Sequence, residues 1–420
     1  MKVYKFGGAS VKDAEAVKNV GKILKEFGTN PLVVVISAMG KTTNALEQVV
    51  NAWWKKENYT EKIEPVRAYH DSIMAGLFED HNNAIWNEIA NLFVALELYL
   101  ARCTEFDYDL VYDEVVSFGE LFSTKIVSAY LNTSGLTNTW VEVRNFVITD
   151  SLYREARVDW DTTTSFIAKV IPGIAARGPV ITQGFIGSNK DNFTTTLGRE
   201  GSDYTAAIFA YALDAKELVI WKDVPGIMNA DPKKFPAAIK YNKLSYQEAV
   251  EMTYYGATVL HPKTIKPLQN KNIPLNVRSF INPSAEGTWI RADFPENKDV
   301  PIIIIKENQV LISLSTKDYS FIAEENIEKI FDEVVKFGIK VNVMHNSAIS
   351  FQVCIDDRGE RLADFIQSLE SEFLINISKG LGLLTIKYFK ENLLGDLLKE
   401  KKAILEMMSG DTVQYVLEPS

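Results

Sequence analysis

A chain of 420 residues, 46% of them apolar, is long enough for two or more domains and has the composition of a folded globular protein. Its net charge of −10 argues against a general nucleic-acid or membrane-surface role, and it obliges any site for anionic ligands to gather its cations locally. Two scattered cysteines (Cys103, Cys354) and four single histidines (His70, His81, His261, His345) argue against a disulfide framework and against a zinc centre.

The chain opens Met1-Lys2-Val3-Tyr4 with no apolar leader, and no apolar run approaches the roughly 18–20 residues of a membrane span, so a cytoplasmic protein is expected. Residues 3–6 read as a buried strand that runs into Lys5-Phe6-Gly7-Gly8-Ala9-Ser10, ahead of a helix expected over 14–27. Glycines there let backbone N–H groups approach phosphate oxygens, and the helix N-terminus adds partial positive charge. Lys5 at the strand end can meet a transferring phosphoryl group as a point charge, although a plain strand-to-helix turn would need the same glycines. The next strand, 32–36, leads to Ser37-Ala38-Met39-Gly40-Lys41-Thr42. Its Gly40-Lys41-Thr42 imitates the end of a P-loop, but the first P-loop glycine would fall on Val35, so that reading fails. Two small-residue loops side by side still suit a crevice at the C-terminal ends of parallel strands.

Residues 55–102 carry no strand signal and read as inserted helices. Ser117-Phe118-Gly119-Glu120 then places an acid among apolar and small residues, as either a helix N-terminal acid or a carboxylate for a substrate ammonium. A strand over 180–182 precedes Gln183-Gly184-Phe185-Ile186-Gly187, Thr194-Thr195-Thr196-Leu197 and Gly198-Arg199-Glu200-Gly201-Ser202-Asp203, with a helix expected over 204–213. Arg199 can grip a carboxylate bidentately, and Asp203 can serve as an N-cap. Strands over 217–221 and 274–277 follow. The first enters a loop of turn formers, Trp221-Lys222-Asp223-Val224-Pro225-Gly226, continuing through Met228 and Asp231 to Lys233. This β-α alternation predicts an α/β domain over 1–292, its mainly parallel sheet covered by helices on both faces.

A polar linker near 292–301 precedes a change of pattern. Over 301–420 the order is strand 309–314, helix 325–337, strands 340–344 and 349–355, helix 360–369, then apolar runs 373–377 and 383–388. That is the βαββαβ order of a ferredoxin-like α+β unit. Lys340, Ser347 and Gln352 recur as Lys402, Ser409 and Gln414, each displaced by 62 positions, which points to a second related unit, shortened at its end.

Together the Lys5-Phe6-Gly7-Gly8, Ser37–Gly40, Ser117–Glu120, Gly198–Asp203 and Trp221–Lys233 segments, with Gly256-Ala257-Thr258-Val259-Leu260-His261-Pro262, resemble in order and spacing the aspartokinase branch of the amino-acid kinase family. The C-terminal part is similar to a pair of ACT domains. The resemblance implies the amino-acid kinase fold and phosphoryl transfer from ATP, with Mg²⁺, to L-aspartate, the first step of lysine, threonine and methionine biosynthesis. It further implies that Lys5 contacts the transferring phosphoryl group and that Asp203 organises that lysine. By the same likeness Gly7, Gly8, Ser10 and Ser37 line the phosphates, while Glu120, Arg199 and Ser202 hold the substrate. Lys222, Asp223, Met228, Asp231 and Lys233 would hold the nucleotide, with no metal ligand among the side chains. Asn342 and Ser347 fall where a lysine or threonine effector would bind, and ACT pairing implies a homodimer or higher homo-oligomer. Two departures stand out: Glu200 replaces the second glycine of the family's GRGGSD loop, and Thr258 stands where a lysine is frequent. The alternatives are another amino-acid kinase branch and a non-catalytic amino-acid-binding sensor. The nucleophile of the implied reaction is a carboxylate with an unperturbed pKa of about 3.9, so no general base is required.

Overall fold

Leu32–Ile36 consists of one leucine and four β-branched residues, all buried, which marks a strand covered on both faces. At about 1.5–3 kcal/mol for each fully buried aliphatic side chain, this pentapeptide is among the strongest anchors of the sheet. A computed structural model describes every residue except 81, 104–106, 258, 259, 319, 358, 400, 419 and 420, so Thr258 lies outside the described residues. The chain forms two compact units, Met1–Ile227 with Lys240–Val250 and Thr258–Glu296, and Met228–Ile239 with Glu251–Ala257 and Asn297–Ser420.

In the first unit the elements run β1 (Lys2–Phe6), α1 (Ala14–Phe27), β2 (Leu32–Ile36), then four helices without an intervening strand, α2 (Thr42–Trp54), α3 (Thr60–Leu77), α4 (Ala84–Arg102) and α5 (Tyr108–Thr133). They continue as β3 (Thr139–Val141), α6 (Trp160–Ala175), β4 (Val180–Gln183), the hairpin β5 (Ile186–Ser188) and β6 (Thr194–Thr196), α7 (Gly201–Ala212) and β7 (Leu218–Lys222). β8 (Lys243–Ser245), α8 (Tyr246–Tyr255), α9 (Pro262–Asn270), β9 (Leu275–Ser279) and β10 (Thr288–Arg291) complete the series. The sheet order is β3-β4-β2-β1-β7-β9-β10-β8, parallel throughout except for the antiparallel β9–β10 pair. Phe6 lies opposite Ile36 and Trp221, and Ile36 opposite Gln183, so the loops after β1, β2, β4 and β7 leave from one edge. α4 is the one described helix long and apolar enough to cross a membrane. Its buried residues, Ile85, Ile89, Phe93, Leu96 and Leu100, form a single stripe, and Phe93 stacks on Phe122 of α5 at 4.3 Å.

The second unit carries a six-stranded antiparallel sheet of β11 (Ile302–Thr316), β12 (Val341–Asn346), β13 (Phe351–Asp356), β14 (Phe373–Lys387), β15 (Ala403–Ser409) and β16 (Thr412–Leu417) in the order β12-β13-β11-β14-β16-β15. α10 (Glu324–Lys336) lies between β11 and β12, α11 (Glu360–Leu369) follows β13, and α12 (Glu391–Leu398) lies between β14 and β15. The apolar runs read as separate strands at 373–377 and 383–388 are one strand here. Asn308 (φ +55°) and Gly380 (φ +71°) sit where the β11–β14 ladder shifts register and then continues as a bulged pair. The displacement of 62 reappears as geometry. His345 pairs with Gln352 and Val343 with Cys354, as Met407 pairs with Gln414 and Leu405 with Val416, each hairpin shifting register at its own start.

Candidate active site

The loops after β1 and β2 are laced together. Ser37 N–H donates to Phe6 O and Gly40 N–H to Gly8 O, both at 3.1 Å. A Cβ on Gly8 would lie 2.8 Å from Gly40 O and 2.9 Å from Ala38 O, so only glycine permits this approach. Ser10 is buried in the short 3₁₀ turn Gly8–Val11, its hydroxyl 3.5 Å from Trp221 O. Ser37 accepts a 2.6 Å bond at its carbonyl from Ser123 of α5, which fixes the second loop to the inserted helices.

Against these loops sits a buried charge cluster. Lys5 Nζ lies 2.7 Å from Asp203 Oδ1, and Lys222 Nζ lies 3.2 Å from Asp203 Oδ2 and 3.9 Å from Glu200 Oε2. Burial opposes the charge on Asp203, but Lys5 and Lys222 outweigh it and hold the carboxyl below the usual carboxylate range. Burial likewise works against the Lys222 ammonium, which Asp203 and Glu200 nevertheless raise above its ordinary value. Burying ions this way is a poor route to stability, and lysines gathered on one acid at the ends of β1 and β7 make better sense as a ligand site. Asp203 is the third residue of α7, which begins at Gly201 and not at 204, so it is no N-cap. The cap is Glu200, with φ +56° and ψ +26°. That left-handed backbone costs a non-glycine residue roughly 1–2 kcal/mol, and it gives the glycine of the family pattern a physical reason.

Glu120 is not a helix N-terminal acid. α5 passes through it in mid-course, and Ser117, Phe118, Gly119 and Glu120 are all buried. Gly119 brings α5 against Ala38 and Thr42, where a Cβ would sit 3.2 Å from each side chain. Burial pushes the Glu120 carboxyl up to about 8, against the downward pull of the Ala38 N–H and of Lys5. Its Oε2 has no hydrogen-bond partner, a cost that a cationic ligand would relieve.

The remaining candidates are placed less centrally. Ser202, buried at the second position of α7, packs so tightly on Gly184 that a Cβ there would come within 2.5 Å of its own. Arg199 is exposed on the loop entering α7, and Asp223 is exposed just after β7. Met228, Asp231 and Lys233 belong to the second unit, where the Asp231 carboxylate accepts the Lys233 N–H at 3.0 Å and shapes its own turn. Asn342 has its amide committed, accepting from Lys306 Nζ at 2.9 Å and donating to Gln309 at 2.7 Å and Asp356 at 2.9 Å. Ser347 closes the turn between β12 and β13 on Ser350 at 2.8 Å. The Ala38 N–H that faces Glu120 and the partnership of Lys222 with Asp203 have no signature in the sequence. Nothing in linear order signals a contact between residues 19 positions apart on a helix and a following strand.

Residues 1–279 match the model of the amino acid kinase family. The lysine-sensitive aspartokinase 3 of Escherichia coli (strain K12) is 31% identical over 396 residues, which span 91% of this chain and 86% of that protein. The crystal structure of E. coli aspartokinase III in complex with aspartate and ADP (R-state) is similar with a TM-score of 0.85 at 28% identity, covering 99% of this chain and 96% of that one. Its complex with lysine and aspartate (T-state) is similar with a TM-score of 0.79 at 28% identity, covering 99% and 95%.

Proposed function

Because the chain belongs to the amino acid kinase family and, within it, to the aspartokinases, we infer that it transfers the γ-phosphoryl group of ATP to the side-chain carboxylate of L-aspartate. The observation that carries this reading is the Lys5–Asp203–Lys222 cluster beside a buried carboxyl, Glu120, with one oxygen unpaired. Two ammoniums for phosphates and one acid for an α-ammonium are what the two substrates require.

The acceptor carboxylate is ionised at neutral pH, so the site has to orient two anions and neutralise charge during transfer. Lys5 meets the transferring group, and Asp203 fixes the position of Lys5 and Lys222 from its buried place on α7. The backbone around Gly7 and Gly8, with Ser10 and Ser37, receives the phosphates. Glu120 takes the substrate ammonium and Arg199 its α-carboxylate, with Ser202 at the mouth of α7. Lys222 and Asp223 serve the nucleotide. A Mg²⁺ ion bound to the ATP phosphates would supply further charge neutralisation and would need few protein ligands, since it keeps several waters. The named relative that binds lysine supports lysine as effector here, with Asn342 and Ser347 as the residues to meet it.

The test is ADP release from Mg·ATP with L-aspartate, repeated with lysine and then threonine. Aspartate-dependent turnover that glutamate cannot support is expected. Absence of turnover with intact amino-acid binding would make the chain a sensor.

A further inference from the structure

Glu200 occupies a position whose backbone suits glycine, and its side chain makes no capping hydrogen bond to the helix it begins. A strained residue of this kind at a ligand site points to a role for the side chain. Its Oε2 is 3.9 Å from Lys222 Nζ, the long limit of an ion pair, while Lys222 and Lys5 both sit closer to Asp203. Two ammoniums thus face two carboxyls, and with all four ionised the cluster is neutral. A neutral cluster receives a polyphosphate poorly. Of the four side chains Glu200 is the most open to solvent, 31% exposed against 7%, 17% and 0% for Lys5, Lys222 and Asp203, so it alone can exchange a proton readily.

We propose that Glu200 is a proton-accepting positioning residue: it holds Lys222 in the empty site and takes up one proton from solvent when nucleotide phosphates arrive, freeing that lysine for them. The inference rests on the nucleotide reading of this site. The charges facing Glu200 are Lys222 from β7, Lys5 from β1 and Asp203 from its own helix, with Asp223 acting on Lys222 from the next position. Burial already raises the Glu200 carboxyl, Lys222 opposes that, and Asp203 adds to it. Incoming phosphates push the same way as Asp203. The protonated form therefore binds better. Affinity is complete below the pKa of the empty site and declines, by about tenfold per pH unit for one proton, until the pKa of the occupied site is reached.

Calorimetry of MgADP binding, in buffers of different ionisation enthalpy and across pH, tests this on the full chain. The wild type should take up a proton and lose affinity as pH rises. Glu200→Gln and Glu200→Gly should both show less uptake and a flatter profile, and the glycine variant, which suits the left-handed backbone, covers any folding defect in the other. Equal uptake in all three proteins, or none in the wild type, overturns the role of Glu200 alone. A wild type that fails to bind MgADP at all overturns the nucleotide reading together with it.

Discussion

At the scale of single residues, charge decides most of what this site can do. Lys5 is held at 2.7 Å by a fully buried carboxylate, so its ammonium is oriented before any phosphate arrives. Lys5→Ala should lower kcat by about two orders of magnitude or more, measured as aspartate-dependent ADP release; an unchanged kcat would remove Lys5 from the reaction. Arg199 grips, in this reading, a part of aspartate that does not react. Arg199→Ala should therefore raise the aspartate KM by about tenfold or more and leave kcat nearly intact, and a normal KM would reassign the arginine. Glu120 yields a pH dependence with a definite sign. Burial pushes its carboxyl up to about 8, and only the ionised form attracts an ammonium. The aspartate KM should fall as pH rises toward that value, and Glu120→Gln should abolish the trend, as steady-state kinetics across pH would reveal.

At the scale of elements, the inserted helices are the clearest case of packing chosen over charge. His70 of α3 is fully buried, its Nδ1 2.7 Å from Val66 O and its ring 5.1 Å from Phe122 and 6.2 Å from Phe93. Burial pushes its pKa down to about 4, against the Val66 carbonyl, from an ordinary value near 6.5. A depressed histidine lends stability that is present above the unfolded pKa and lost as pH falls through the folded one. About 3 kcal/mol should thus disappear between pH 6.5 and 4. Urea midpoints over that range, compared with His70→Phe, would show it as a difference in slope; parallel slopes would mean that His70 is not the group responsible. The loops behave differently. Gly8 and Gly40 are required by approach and by backbone hand, and both were visible as glycines in sequence, but which loop each one admits was not.

At the scale of the whole molecule, the chain carries a catalytic unit and a second unit with an internal repeat. The likeness to a lysine-binding relative, together with the pairing that the resemblance to ACT domains implies, leads to one joint expectation. Light scattering should give about twice the 47.2 kDa chain mass or a higher multiple, and lysine should suppress turnover. A monomer whose turnover ignores lysine would leave the second unit without a regulatory part. The repeat itself was legible as three identities at a displacement of 62, because hairpins that share a register keep the same side chains on the same face.

By itself the sequence determined the family, the helix Ala14–Phe27 to the residue and the central strands, and it named Lys5, Asp203 and Lys222 before the structure brought them together, since short buried strands and glycine loops leave local signatures. It left three things open that only the tertiary structure decided. Glu120 is a mid-helix buried acid because α5, 26 residues long, continues through Gly119 without a break. The C-terminal strands are long because antiparallel pairing carries them across bulges that resemble ends. Lys5 and Lys222 share Asp203, with Glu200 on Lys222, because a parallel sheet delivers β1, β7 and the start of α7 to one edge. Long-range contacts of that kind arise from pairing between strands, and no local pattern records them.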